Sequence, residues 1–173
     1  MTAGLAEPRA RALVLGIGNL LLADDGVGLR LLEDLRREAG DPGDVEFVDG
    51  GTQGLALLGR LANRPAVLIL DAVALGAPPG TVHVLDQEAI DGLHARGGFT
   101  AHEGNGLEIL ALAKLLGEAP GKVVILGVEP EQVKTGIGLS HAVESALPLA
   151  LVEARRILAA ARMGEQHVSG SSG

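Results

Sequence analysis

Cysteine, tryptophan and tyrosine are absent from the 173 residues, and phenylalanine appears only twice. Without cysteine there is no disulfide framework, no thiolate nucleophile and no thiolate metal site. Without large aromatics the core must be built from Leu, Val, Ile and Ala, within a hydrophobic fraction of 47%. A chain of this length is one domain's worth and can bury a sizeable core without staples. A basic excess is missing as well. The 14 Lys and Arg are outnumbered by 22 Asp and Glu, a net charge of −8, which argues against a nucleic-acid or membrane-surface partner. No apolar run approaches a membrane span, and Met1 to Ala10 holds no apolar signal core. The expectation is a soluble cytoplasmic protein with a single domain over residues 1–168. Ser169 to Gly173 reads as a flexible tail or a cloning scar.

What is present is an alternation of short apolar runs with amphipathic stretches. Ala12 to Leu15, Val45 to Val48, Ala66 to Leu70, Thr81 to Leu85 and Val123 to Val128 read as five strands. Val27, Leu31, Leu35 and Ala39 recur at helical spacing, with Gly40 as a stop. Leu55 to Leu61 and Leu107 to Leu115 suit further helices. Ser140 is a good N-cap for a last helix reaching about Arg162, with a kink expected at Pro148. This rhythm predicts an α/β fold, a three-layer α/β/α sandwich around a mostly parallel sheet. The short gap between the third and fourth strands allows a hairpin, and with it a mixed sheet.

Ligands of open α/β sheets bind outside the carboxyl ends of the strands. Here those ends are acidic: Asp24-Asp25-Gly26 lies downstream of the first, Asp49 after the second, Asp71 after the third, Glu129 after the fifth. Gly16-x-Gly18 followed by Asp49 imitates a dinucleotide fingerprint, but Leu21 stands where its third glycine belongs. Asp24 and Asp25 would also repel a pyrophosphate at the helix entrance while welcoming a cation. Asp24 is placed to act as an N-cap, a structural role. Asp25 reads equally as a dipole complement or a site residue. Asp71 is costly behind an apolar strand unless paired, hydrogen-bonded or metal-bound. Asp49 can simply organise the Gly50-Gly51 turn. Among five histidines, His83 falls in a strand, His94 in a polar loop, His141 at a helix start and His167 in the tail. His102 alone combines glycine-rich surroundings with a position opening a helix. A lone loop histidine is more often surface than ligand, so His102 needs partners to count.

The ordered set Gly16-Ile17-Gly18-Asn19, Asp24-Asp25-Gly26-x-Gly28, Asp49-Gly50-Gly51-Thr52-x-Gly54, Leu70-Asp71-Ala72, Pro79-Gly80-Thr81, His102, Gly127-Val128-Glu129-Pro130 and Gly138-Leu139-Ser140 resembles the nickel–iron hydrogenase maturation endopeptidases. The resemblance runs from Leu13 to the last helix. It implies a peptidase that removes a short C-terminal tail from a nickel-loaded hydrogenase large-subunit precursor, after a basic residue that follows a Cys-x-x-Cys motif. It further implies that Asp25, Asp71 and His102 form the working site and bind nickel, brought by the precursor or held by the peptidase, with zinc or cadmium able to substitute. The first ligand is Glu in some members and Asp in others. Two carboxylates and an imidazole suit nickel or zinc, and three protein ligands leave coordination positions open. No Ser–His–Asp or Cys–His arrangement stands out. Asp49 and Glu129 are candidates for orienting a ligand. A second reading, a nickel-sensing chaperone that grips the precursor without hydrolysis, fits the acidic rim equally; only the resemblance favours cleavage.

Overall fold

The run Ala12-Leu13-Val14-Leu15 becomes strand β1 (Ala12–Ile17), buried at every residue. Such a strand has both faces covered, which is why it shows no polar alternation. The computed structural model describes residues 10–40, 43–97 and 105–163. After β1 come α1 (Val27–Ala39), β2 (Val45–Gly51), α2 (Leu58–Leu61), β3 (Ala66–Ala72), β4 (Val82–Leu85), α3 (Gln87–Arg96), α4 (Gly106–Leu115), β5 (Lys122–Val128) and α5 (His141–Met163). The strands form one sheet in the order β2-β1-β3-β5-β4. All neighbours are parallel except β4, which runs antiparallel to β5. The mixed α/β sheet is the expected one. The pairing of β4 is not, because it joins β5 and forms no hairpin with β3.

Strand periodicity sends alternate residues to opposite faces. Val14, Leu68, Leu70, Leu126 and Val128 pack under α1 and α5, against Leu31, Leu35, Val143 and Ala150. Leu13, Leu15, Ile69 and Ile125 pack on the other face against Leu61, Ile90 and Ile109, from α2, α3 and α4. The result is three layers with two aliphatic cores. No helix among the described residues is long and apolar enough to cross a membrane.

Helix α3 covers a stretch expected to be loop, so His94 is helical, and its Nε2 lies 2.8 Å from the carbonyl oxygen of Leu107. Asp86 caps this helix by accepting the amide of Ala89 at 2.9 Å. Helix α5 starts as expected, with the Ser140 hydroxyl accepting from the amide of Val143 at 3.4 Å, and it continues through Pro148. Gly28, in the first turn of α1, lets the helix approach the sheet: a Cβ there would collide with the carbonyl oxygens of Leu70 and Ile17. Both obstacles are backbone and cannot swing aside. Gly28→Ala should therefore cost about 2 kcal/mol or more, read as a lower midpoint in urea unfolding; an unchanged midpoint would contradict this packing.

Candidate functional site

The acidic rim is assembled by the loops that leave β1, β3 and β5. After β1 the chain turns at Gly18, whose φ of 144° suits glycine. A 3₁₀ turn, Ala23–Gly26, then precedes α1. Asp25 folds back over the loop, and its Oδ2 accepts the amide of Asn19 at 2.9 Å. The Asn19 side chain in turn accepts the amide of Leu21 at 2.9 Å. Asp25 is thereby fixed at the mouth of the loop rather than left to solvent.

Asp71 is the penultimate residue of β3 and only 4% exposed. Its Oδ1 accepts the amide of Ala72 at 2.8 Å, and its Oδ2 that of Gly106, the first residue of α4, at 3.0 Å. Burial pushes its carboxyl up to about 7; the Gly106 amide opposes the rise, the charge of nearby Asp25 adds to it, and the Ala72 amide opposes it. The two carboxylates thus feel each other's charge, and the buried one holds its proton up to near neutral pH. Perturbed carboxyls of this kind cluster at working sites. The contacts from Asn19 and Gly106 escape a reading of the sequence. The capping Asn105, which accepts the amide of Glu108 at 2.8 Å, was the available sign that a helix N-terminus points here.

Asp25 and Asp71 are brought together; His102 lies outside the described residues. Among the described residues no three His, Asp or Glu side chains gather as a metal cluster. Asp24 does not cap the helix as expected. It is fully buried, and it reaches across to the loop after β5, accepting the amides of Glu131 at 2.9 Å, Gln132 at 3.1 Å and Ser140 at 2.6 Å. Burial pushes its carboxyl up, but the amides of Ser140, Gln132 and Glu131 outweigh this and hold it below the ordinary value. The expectation failed because the partners lie more than a hundred residues away.

Glu129, 4% exposed, plays the matching part beyond β3. Its carboxylate accepts the amides of Leu75 at 2.9 Å and Gly76 at 3.1 Å, and lies 2.8 Å from His83 Nε2. Burial raises its carboxyl, and the Leu75 amide, His83 and the Gly76 amide bring it below the usual range. Asp49 is exposed at the end of β2. An apolar groove of about 370 Å³ lined by Ala66, Leu68, Val124 and Ile157 opens at the amino ends of the strands, away from these carboxylates.

Comparison with known proteins agrees with the fold. The family model described as hydrogenase maturation protease (HycI) matches residues 29–157. The chain is 39% identical over 153 residues to the hydrogenase 2 maturation protease of Escherichia coli (strain K12), covering 88% of this chain and 91% of that one. The solved hydrogenase maturating endopeptidase HybD from E. coli superposes with a TM-score of 0.74 at 37% identity, covering 90% and 94% of the two chains. The hydrogenase 2 maturation peptidase from Thaumarchaeota archaeon SCGC_AB-539-E09 gives 0.64 at 36% identity, covering 86% and 98%.

Proposed function

Because the chain belongs to the hydrogenase maturation protease family, and is therefore a peptide-bond hydrolase, we propose that it cleaves the C-terminal extension of a nickel-loaded hydrogenase large-subunit precursor, directed by nickel at Asp25, Asp71 and His102. The observation that carries this reading is the Asp25–Asp71 pair. A buried carboxyl raised to about 7 beside a second acid is an arrangement that a divalent cation relieves, since its charge favours ionisation of both. Oxygen donors from Asp25 and Asp71 and a nitrogen from His102 suit nickel.

The bound ion would supply a Lewis acid at the scissile carbonyl or its water, together with an anchoring contact for the precursor. The chain's own residues supply the rest. The Gly106 and Ala72 amides fix both oxygens of Asp71, each of which keeps a second lone pair for a ligand. The Asn19 amide fixes one oxygen of Asp25. The reading is tested by incubating the protein with nickel-loaded and nickel-free precursor and weighing the products. Loss of a C-terminal peptide from the loaded form alone is the expected result; binding without a mass change would favour the chaperone.

Metal affinity should depend on pH. Asp71, with its carboxyl at about 7, must release its proton for nickel to bind, and His102 must be neutral. Nickel affinity measured by calorimetry should therefore fall by at least about tenfold between pH 8 and pH 6. Equal affinity at both would count against these ligands.

A further inference from the structure

We propose that Leu20, Leu21 and Ile137 form a preset apolar platform beside the Asp25–Asp71 pair, on which apolar side chains of the precursor's extended segment dock. This deepens the function proposed above and rests on it. Large aliphatic side chains normally leave water, yet Leu20 is 57% exposed, Leu21 62% and Ile137 88%. They stand on the loops beyond β1 and β5, on the rim that carries Asp25 and Asp71. The two loops are stitched together: the amide of Gly136 donates to Leu21 at 2.9 Å, and the amide of Ala23 donates to Gly136 at 2.8 Å. Ile137 therefore sits next to the Leu20–Leu22 turn. That turn is also bound to the Asp25 carboxylate through the amide of Asn19, so platform and carboxylate form one unit.

The two loops are also held by a buried carboxylate. Asp24, at the start of the turn that follows the Leu20–Leu22 stretch, takes amides at both ends of the segment that carries Ile137. Burying a charge is expensive unless it is fully hydrogen-bonded, and here one is buried to fix loops whose outward side chains are apolar. Such fixing lowers the ordering cost of association. The chemistry of the surface selects the occupant. Aliphatic side chains beside an acidic rim, on a chain of net charge −8, suit an apolar stretch of polypeptide, whereas an anionic bilayer would be repelled. The polypeptide that the proposed reaction brings to Asp25 and Asp71 is the precursor.

The test compares wild type with the double variant Leu21→Ser/Ile137→Ser and with Leu116→Ser. Leu116 is 55% exposed but follows α4, on the far side from the rim. Affinity for immobilised nickel-loaded precursor is measured by interferometry, alongside KM and kcat for tail release, and sedimentation gives the oligomeric state. The double variant should bind about tenfold or more weaker, with a matching rise in KM and little change in kcat. Its thermal midpoint and nickel affinity should stay at wild-type values, because both side chains are exposed, and Leu116→Ser should bind normally. Wild-type affinity in the double variant, or an equal loss in Leu116→Ser, overturns the platform. So does a wild-type dimer that the double variant dissociates while still binding precursor, which would assign the surface to a second copy. If wild type binds through these residues without cleaving, the proposed cleavage of that precursor falls and the platform stands. If it cleaves while the double variant binds normally, the reverse holds. If wild type neither binds nor cleaves, both fall.

Discussion

Asp71→Asn should reduce release of the precursor tail by more than about a hundredfold, exceeding the loss that follows from removing an outer partner of a metal site. The same variant should change how stability depends on pH. In the wild type the folded-state carboxyl is raised to about 7, by burial first and by Asp25 in addition. A carboxyl raised on folding binds its proton more tightly in the native state. Its contribution is complete below the unfolded value of about 4 and is lost as pH rises through about 7. Metal-free wild type should thus lose a few kcal/mol from this group between pH 5 and pH 8. Asn does not ionise and has no such slope. It does give up one acceptor, since both oxygens of Asp71 take backbone amides, so at pH 5 the variant should be the less stable protein. Thermal midpoints of the two chelated proteins should converge or cross by pH 8. Parallel midpoints across the range would mean that Asp71 is not protonated in the fold.

The second large effect is at Asp24, and it is on stability. Asp24→Asn keeps the shape but leaves one oxygen where two served three amides, and it turns an NH2 group toward at least one donor in a site with no access to water. Each buried donor left unsatisfied costs about 1–3 kcal/mol, so urea unfolding should show a loss on the order of 2–4 kcal/mol. The wild-type contribution has the sign opposite to that of Asp71. The carboxyl is held below its ordinary value, so its stabilisation is present above about pH 4 and is lost as pH falls through the lower folded value. A variant as stable as wild type would show that Asp24 is merely a local cap.

The strands were legible in the sequence because β1, β3 and β5 are short aliphatic runs bounded by turns, and α1 because Val27, Leu31 and Leu35 repeat with helical period. The rim was legible because parallel strands deliver their carboxyl ends to one edge, so residues downstream of several strands meet whatever their separation along the chain. Helix α3 was not, since only Ile90 of its ten residues is fully buried and the hydrophobic period is faint. The partner of β4 was not, because pairing with β5 instead of β3 is decided by sheet order, which no local pattern records. Asp24 was misread for a related reason. A carboxylate at a helix entrance has the same local signature whether it caps its own turn or holds a loop 107 to 116 positions away. Asp25 and Asp71 were singled out by position and by family resemblance, and the amides of Asn19 and Gly106 that orient them became visible only with the fold.

The function proposed above places nickel between Asp25 and Asp71. Crystals of the wild-type protein soaked in nickel at pH 8, above the value of about 7 to which the Asp71 carboxyl is raised, would be measured at the nickel absorption edge. One dominant anomalous peak is expected within bonding distance of an oxygen from Asp25 and an oxygen from Asp71. A peak at Asp49 or Glu131 instead, or no peak at the pair under those conditions, would contradict it.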